Sequence, residues 1–360
     1  MTTANRIEDS RSLTRKTTLL VCKASPTPGT LLEGWSSVKR MLRLLLVSLA
    51  VFAGMLALAL GFGGPRQPPP MASISDPFQR VDFSDLPPLS RWTARDGASL
   101  AYLAYAARGG VAKGSVVLVH GSSASSSSLH VLAKAMAAAG YSAYALDIRG
   151  HGASGTRGSI GYIGQLEDDM EDFVAAVQPA RPATLAGFSS GGGFVLRFAG
   201  SARQHLFTDY LLLSPFINRK APTFRPDAGG WIRVGVPRII ALNLLNTLGV
   251  RHFNDLPVVR FALSPAAMTS LTPAYSYALA QNFQPEQDYR ANIRALGQPV
   301  RLLAGQADEV FHSDRFAEVF QAAGKAVPVT LLPGIGHIGL TLEPAAVQAA
   351  AAQVKIMDEP

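Results

Sequence analysis

Short apolar runs near 115–119, 142–147, 183–188, 209–213, 299–304 and 327–332 punctuate the chain, with helix-spaced apolar positions between them. Strand-length runs alternating with helical patterns predict an α/β domain: a mainly parallel central sheet with helices on both faces. Ahead of the first run, Trp92-Thr93-Ala94-Arg95 and Ala101 to Tyr105 flank Asp96-Gly97. An Asp-Gly pair between alternating runs predicts a hairpin. The alternation fails between Ser214 and about Asp288, a stretch holding Pro222, Pro226, Pro237 and Trp231. It is too long for a strand connection, so it is expected to be a cap at about 215–288, inserted in a domain at 89–358. The aliphatic run Ile239 to Leu248 either lines an acyl-chain pocket or packs the cap onto the core. No internal repeat is evident.

A different pattern opens the chain. Residues 44–62 carry no charge, and as a helix they would be roughly 28 Å long, close to a bilayer core. Lys39, Arg40 and Arg43 precede them, which favours a cytoplasmic N-terminal side and a domain facing outward. An uncleaved anchor is expected; the rival is a cleaved signal, for which Ala57-Leu58-Ala59 is a tolerable cleavage pattern. Met41 would serve as an alternative start. Residues 1–43 are expected to be a basic, disordered segment, and the Pro-rich stretch in 63–88 a stiff linker.

Composition sharpens this picture at three points. Hydrophobic content of 48% with 16% charged residues suits a large buried core. The net charge of +8 suggests nucleic acid, but residues 1–43 hold eight basic residues against three acids, leaving about +3 for the rest. With no basic helix interleaved with aromatics, a nucleic-acid partner is not expected. The single cysteine, Cys22, lies ahead of the apolar helix, so the folded domain has neither thiolate nucleophile nor thiolate metal ligand.

The chemistry is concentrated at Gly187-Phe188-Ser189-Ser190-Gly191-Gly192-Gly193, directly after the apolar run from Ala183. A G-x-S-x-G pattern between strand and helix marks a nucleophile elbow, and its glycines make room for a tight turn. A serine needs an imidazole to take its proton and a carboxylate to orient that imidazole. His337, in the Gly-rich loop after the run Val327 to Leu332, is the candidate base. Asp308, three residues beyond the strand ending at Gly305, is the candidate acid, with Glu309 as competitor. Oxyanion donors are expected from the N–H groups of Ser190 and of Ser122, in the loop after Ser115–Val119, with Ser123 second. His120 is expected to anchor that loop rather than react.

Val119-His120-Gly121, the Ser189 elbow, Asp308 and His337, in that order, resemble the α/β-hydrolase superfamily over roughly residues 90–355. The stretch Asp147-Ile148-Arg149-Gly150-His151-Gly152-Ala153-Ser154 is similar to the monoacylglycerol lipase and lysophospholipase group. So is Gly155-Thr156-Arg157-Gly158, followed by Asp168, Asp169 and Asp172. That resemblance implies loop-building roles for Asp147, Arg149 and His151. It also implies a serine esterase or lipase with no cofactor and no metal; the apolar anchor and the aliphatic cap point to lipid-like esters such as monoacylglycerols or lysophospholipids. The triple glycine after Ser189 also resembles the cofactor-free haloperoxidase and perhydrolase group, which leaves a small-ester esterase or perhydrolase as an alternative. A peptidase of the same fold and a non-catalytic binding module are further rivals. Acyl chain, headgroup and oligomeric state carry no signal.

Overall fold

In a computed structural model, residues 28–358 are described; residues 1–27 lie outside them, so the expectation of disorder there has no structural counterpart. The chain divides into two units, 1–55 and 56–360. The first contains most of a helix, Pro28–Phe62, within which Trp35–Phe62 has a mean hydropathy of 2.5, long and apolar enough to cross a membrane. Residues 28–43 are thus helical, not structureless as the basic composition suggested. Their Leu, Lys and Arg content is compatible with continuing a helix that the apolar stretch propagates.

The second unit is organised around eight strands: β1 (Leu89–Thr93), β2 (Ser99–Tyr105), β3 (Ser115–Val119), β4 (Ser142–Leu146), β5 (Ala183–Phe188), β6 (Asp209–Leu213), β10 (Val300–Gly305) and β11 (Val329–Leu332). Their order is β1-β2-β4-β3-β5-β6-β10-β11. β1 and β2 form the antiparallel hairpin over Asp96-Gly97, β2 pairs antiparallel with β4, and every later pair is parallel. β3, β5 and β6 are buried along their whole length, as strands sandwiched between helices must be.

The order also fixes the layers. The crossover from β3 to β4 runs toward one edge, and those from β4 to β5 and β5 to β6 run toward the other. Right-handed crossovers therefore put helix His130–Ala138 on one face, and helices Gln165–Val177 and Ser190–Ala199 on the opposite face. The C-terminal helix Pro344–Asp358 packs against His130–Ala138. Phe173 meets Trp92, Tyr102 and Tyr144 at centroid distances of 5.2, 5.5 and 5.9 Å, mostly edge to face, closing the β1–β2 edge of the sheet.

Between β6 and β10 lies the inserted region. It contains a three-stranded antiparallel sheet of β7 (Ile232–Val234), β8 (Pro257–Phe261) and β9 (Ala274–Ser276), with helix Val236–Thr247 connecting β7 to β8. The period-two signal is too short in strands of three to five residues to be legible.

The Pro-rich stretch differs from its expectation as a linker. Pro68 is buried, the Gln67 amide donates to the Phe261 carbonyl at 2.8 Å, and the Met71 N–H donates to Ala262 at 2.9 Å. Helical turns follow at Ala72–Ser75 and Asp76–Arg80, with Ile74 buried. Composition reports stiffness, but whether an extended segment finds a surface depends on the partner it meets.

Candidate active site

β5 ends at Phe188 and helix Ser190–Ala199 begins two residues later, so Ser189 makes the whole turn. Its backbone sits at φ 56°, ψ −119°, a conformation that costs a non-glycine residue energy. The turn is held by the Ser189 N–H donating to Leu213 at 2.9 Å, and by the Ser189 carbonyl accepting from Gly193 and Phe216 at 3.0 and 2.9 Å. No side chain fits around it. A Cβ on Gly187 would come within 2.4 Å of the Gly191 oxygen, and one on Gly191 within 2.3 Å of the His120 oxygen. The glycines are therefore a packing requirement of the elbow.

The loop after β11 brings His337 to this turn. Its Nε2 lies 3.0 Å from the Ser189 hydroxyl, and its Nδ1 lies 2.8 Å from the Asp308 carboxylate. The two acidic neighbours divide the work. Asp308 holds the ring and accepts from the N–H groups of Val310 and Phe311, each at 2.8 Å, through its other oxygen. Glu309 accepts from the His337 backbone N–H at 2.9 Å and so fixes the loop that carries the imidazole. Burial works against ionisation of Asp308, yet His337 and the Phe311 N–H together hold its carboxyl below the usual carboxylate value. Phe188 and Phe311 pack on the imidazole at centroid distances of 4.7 and 5.2 Å.

Opposite the elbow, the loop Gly121–Ser128 is tied down by groups from far along the chain. Ser123 has φ 68° and donates its N–H to the Tyr275 hydroxyl at 2.6 Å; its hydroxyl donates to the Thr272 carbonyl at 2.7 Å, and its carbonyl accepts from the Thr272 N–H at 2.9 Å. The Ser123 N–H is thereby engaged by the Tyr275 hydroxyl. The N–H groups of Ser122 and Ser190 make no hydrogen bond to another described residue. The Ser122 hydroxyl accepts from the Trp231 indole at 2.8 Å.

A buried chain of hydrogen bonds stands behind this loop. The Tyr275 hydroxyl is 2.6 Å from His151 Nε2, and His151 Nδ1 is 3.2 Å from the Ile148 carbonyl. The Ile148 N–H donates to His120 Nε2 at 3.3 Å, and His120 Nδ1 lies 2.7 Å from the Gly121 carbonyl. Both imidazoles are fully buried, and burial lowers both pKa values, His151 the further. Each is then neutral, with one N–H and one acceptor, which this chain uses in a single consistent direction. Asp147 accepts from the N–H groups of Ser126 and Ala153 at 2.7 and 2.8 Å, and Arg149 forms a bidentate pair with Asp169 and a second pair with Asp96. These residues build loops and do not reach Ser189.

A cavity of about 310 Å³ contains Ser189 and His337. Its apolar walls come from Ile74, Phe78 and Phe83 of the N-terminal strap, and from Trp231, Leu263 and Leu271 of the cap. The cap helix residues expected as one possible lining, Ile239 to Leu248, take no part in it. No Asp or Glu lines the cavity. A larger hollow of about 740 Å³ lies between the strap and helix His130–Ala138, but contains neither Ser189 nor His337 and is flanked by Asp76, Arg80, Asp82, Lys134 and Glu343. Nothing local in the sequence marks Thr272, Tyr275, the strap or the reach of Trp231 to Ser122, because contacts separated by 100 residues or more leave no local pattern.

Among known proteins, the family model described as serine aminopeptidase, S33, matches residues 110–344. A monoacylglycerol lipase of Mycolicibacterium smegmatis is 35% identical over 112 residues, 29% of this chain. The chain spans 39% of that relative's length. A soluble variant of monoglyceride lipase from Saccharomyces cerevisiae superposes with a TM-score of 0.55 at 18% identity, covering 78% of this chain and 97% of that one. A membrane phospholipase A described as a bacterial virulence factor superposes with a TM-score of 0.55 at 20% identity, covering 89% of this chain and all of the other. At those identities the superpositions establish the α/β-hydrolase fold.

Proposed function

The chain belongs to the serine aminopeptidase S33 family of α/β-hydrolases, and from that premise we propose that it is a serine ester hydrolase acting on single-chain lipid esters. The observation that carries this is the hydrogen-bonded line from Asp308 through His337 to Ser189 in an apolar cavity of about 310 Å³. That volume lies at the low end for small-molecule sites, which favours one acyl chain over two. An α-ammonium group would meet no carboxylate on the cavity wall, which argues against an aminopeptidase. The monoacylglycerol lipase relative supports the same substrate class.

In this mechanism the Ser189 hydroxyl attacks the ester carbonyl as His337 Nε2 takes its proton. The tetrahedral oxyanion is held by the N–H groups of Ser122 and Ser190. Collapse breaks the bond to the alcohol, which leaves with the proton from His337. Water, deprotonated by His337, then attacks the acyl-enzyme and frees the acid and Ser189. Asp308 keeps Nδ1 protonated and stabilises the imidazolium between steps. The apolar helix Trp35–Phe62 serves as an anchor, with the enzyme outside the cytoplasm; cleavage as a signal segment is the alternative.

The test is hydrolysis of nitrophenyl esters from acetate to palmitate and of monoacylglycerol, beside Ser189→Ala, with fluorophosphonate labelling. Turnover and labelling that both require Ser189, with a preference for long chains, is the expected result. A preference for acetate would indicate a small-ester esterase, and the absence of turnover and label in a folded protein would end the enzymatic assignment.

A further inference from the structure

Helix Val236–Thr247 of the cap has two unlike faces. Leu242 and Leu245 point inward, Leu242 in a small cluster with Val258 and Tyr277 against which Leu60 and Ile239 pack. On the other side Val236, Ile240, Leu244 and Leu248 recur every fourth residue, at 44, 63, 37 and 69% exposure, and Val250 and Phe253 follow them, also exposed. Residues four apart stack on one side of a helix, so these side chains form a continuous aliphatic strip. The one charge on the helix, Arg238, is buried. It donates to the carbonyls of Leu60, Gly61 and Pro257 at 2.8, 3.0 and 2.7 Å.

Leu60 and Gly61 belong to the last turn of the helix ending at Phe62, where carbonyls have no intrahelical partner. Arg238 therefore clamps the cap helix to the terminus of the apolar span. The backbones meet closely enough that a Cβ on Gly235 would lie 2.7 Å from the Gly63 oxygen, and one on Gly63 would lie 2.9 Å from the Arg238 nitrogen. Where the span leaves a bilayer, an aliphatic strip fixed to its last turn lies at the depth of the lipid headgroups. Residues 233–260 contain four arginines and a single acid, Asp255, which is engaged by the Ser159 hydroxyl. Arg238 is buried and Arg233 pairs with Asp227, which leaves Arg251 and Arg260 as the cations of this stretch for anionic headgroups.

We propose that the strip Val236–Ile240–Leu244–Leu248 is a membrane-docking surface, lying in the interfacial layer where the apolar span ends, at Leu60 and Gly61 of its last turn. The proposal rests on the anchored assignment above. It gives the cap a role beyond covering Ser189: β7 and β8 leave the docked helix and deliver Trp231 and Leu263 to the cavity wall, at a remove of roughly 10–17 Å for strands of this length. A single-chain lipid would then pass from leaflet to cavity over a short distance.

The test uses the full chain with Cys22→Ser, carrying Ile240→Cys, Leu58→Cys or Val111→Cys, each labelled with a bimane dye. The proteins are reconstituted in phosphatidylcholine–phosphatidylglycerol vesicles with and without brominated lipid. Quenching at positions 58 and 240 but not at 111, which is 97% exposed in the turn before β3, is the expected result. Quenching at 58 alone would overturn the docking surface while leaving the anchor standing. Quenching at neither would remove the anchored assignment and the docking surface with it. Shielding of position 240 from iodide without lipid quenching would assign the strip to a second copy of the chain, again against the proposal. As a functional readout, Ile240→Glu with Leu244→Glu is expected to lower hydrolysis of vesicle-borne monoacylglycerol at least fivefold while leaving a soluble butyrate ester unchanged. Equal loss on both substrates, or on neither, would count against it.

Discussion

The sheet and the cap meet at the loop Gly121–Ser128 and are built by opposite means. On the sheet side, Ser189 follows a strand buried along its whole length and Asp308 one buried along most of it, while His337 lies in the loop after the half-buried β11; backbone bonds to Leu213 and Phe216 fix the Ser189 turn, and Glu309 holds the His337 N–H. On the cap side, the region of three short strands and a two-faced helix supplies the side chains of Trp231 and Tyr275 and the backbone of Thr272, which cross to the loop Gly121–Ser128. The contrast is in what holds each part: the Ser189 turn and the His337 loop are held by groups of the strand ends, whereas the loop Gly121–Ser128 is held in part by groups of the cap.

The largest effect that would break this contrast lies at the elbow. Ser189→Ala is expected to lower kcat by about 10⁴-fold or more, with circular dichroism unchanged; retention of a tenth of the activity would mean that the nucleophile is elsewhere. Next come the paired acids. Asp308→Asn is expected to cost about 10³–10⁴-fold in kcat, because the imidazole loses its orienting anion, whereas Glu309→Gln should cost less than about tenfold. Equal losses would show that the two carboxylates are interchangeable, against the geometry.

The sheet is not satisfied everywhere, and its other end provides a contrast with the site. Asp209, at the start of β6, is fully buried with no hydrogen bond to either oxygen, and burial, with the Asp358 carboxylate adding to it, raises its pKa to about 6. The unfolded chain releases this proton near its ordinary value of 3.8, before the native state does. Stability from this group is therefore complete below about pH 4 and is lost as pH rises through about 6, amounting to roughly 3 kcal/mol. Asp209→Asn should remove that slope. Denaturant titrations at pH 4 and pH 7 would measure the difference, and parallel curves for parent and variant would refute the assignment.

Smaller effects probe the cap. Tyr275→Phe removes both the acceptor for Ser123 N–H and the donor to His151 Nε2, and is expected to lower kcat about 10–100-fold with KM nearly constant, as a loss confined to the transition state would. A change in KM alone would make Tyr275 a substrate contact. Phe78→Ala, in the strap, is expected to shift the preferred acyl chain longer and to change kcat/KM by about 3–10-fold for esters differing in length. An unaltered chain-length profile would take the strap out of the acyl pocket.

Legibility in the sequence divides along the same line. The six strands after the hairpin lie within a few residues of their apolar runs, and for β3, β5 and β6 the reason is that a strand buried on both faces must be apolar throughout. The cap strands, three to five residues long, carry no such constraint, and the role of the strap is invisible because Pro-rich composition is the same on a surface as in solvent. Asp308 and Glu309 stood as competitors because adjacent residues share nearly the same offset from the strand; what separates them is the atom of His337 each reaches, the ring Nδ1 for Asp308 and the backbone N–H for Glu309.

The sequence by itself determined the sheet, the elbow and the family, since each rests on residues close in the chain whose packing needs are written in glycine positions and apolar period. The tertiary structure alone decided which acid faces the imidazole, which serine N–H groups stay free, and what walls the cavity. Those outcomes depend on contacts such as Tyr275 to Ser123 and Trp231 to Ser122, made across more than 100 residues, where the chain has no local periodicity to record its partner.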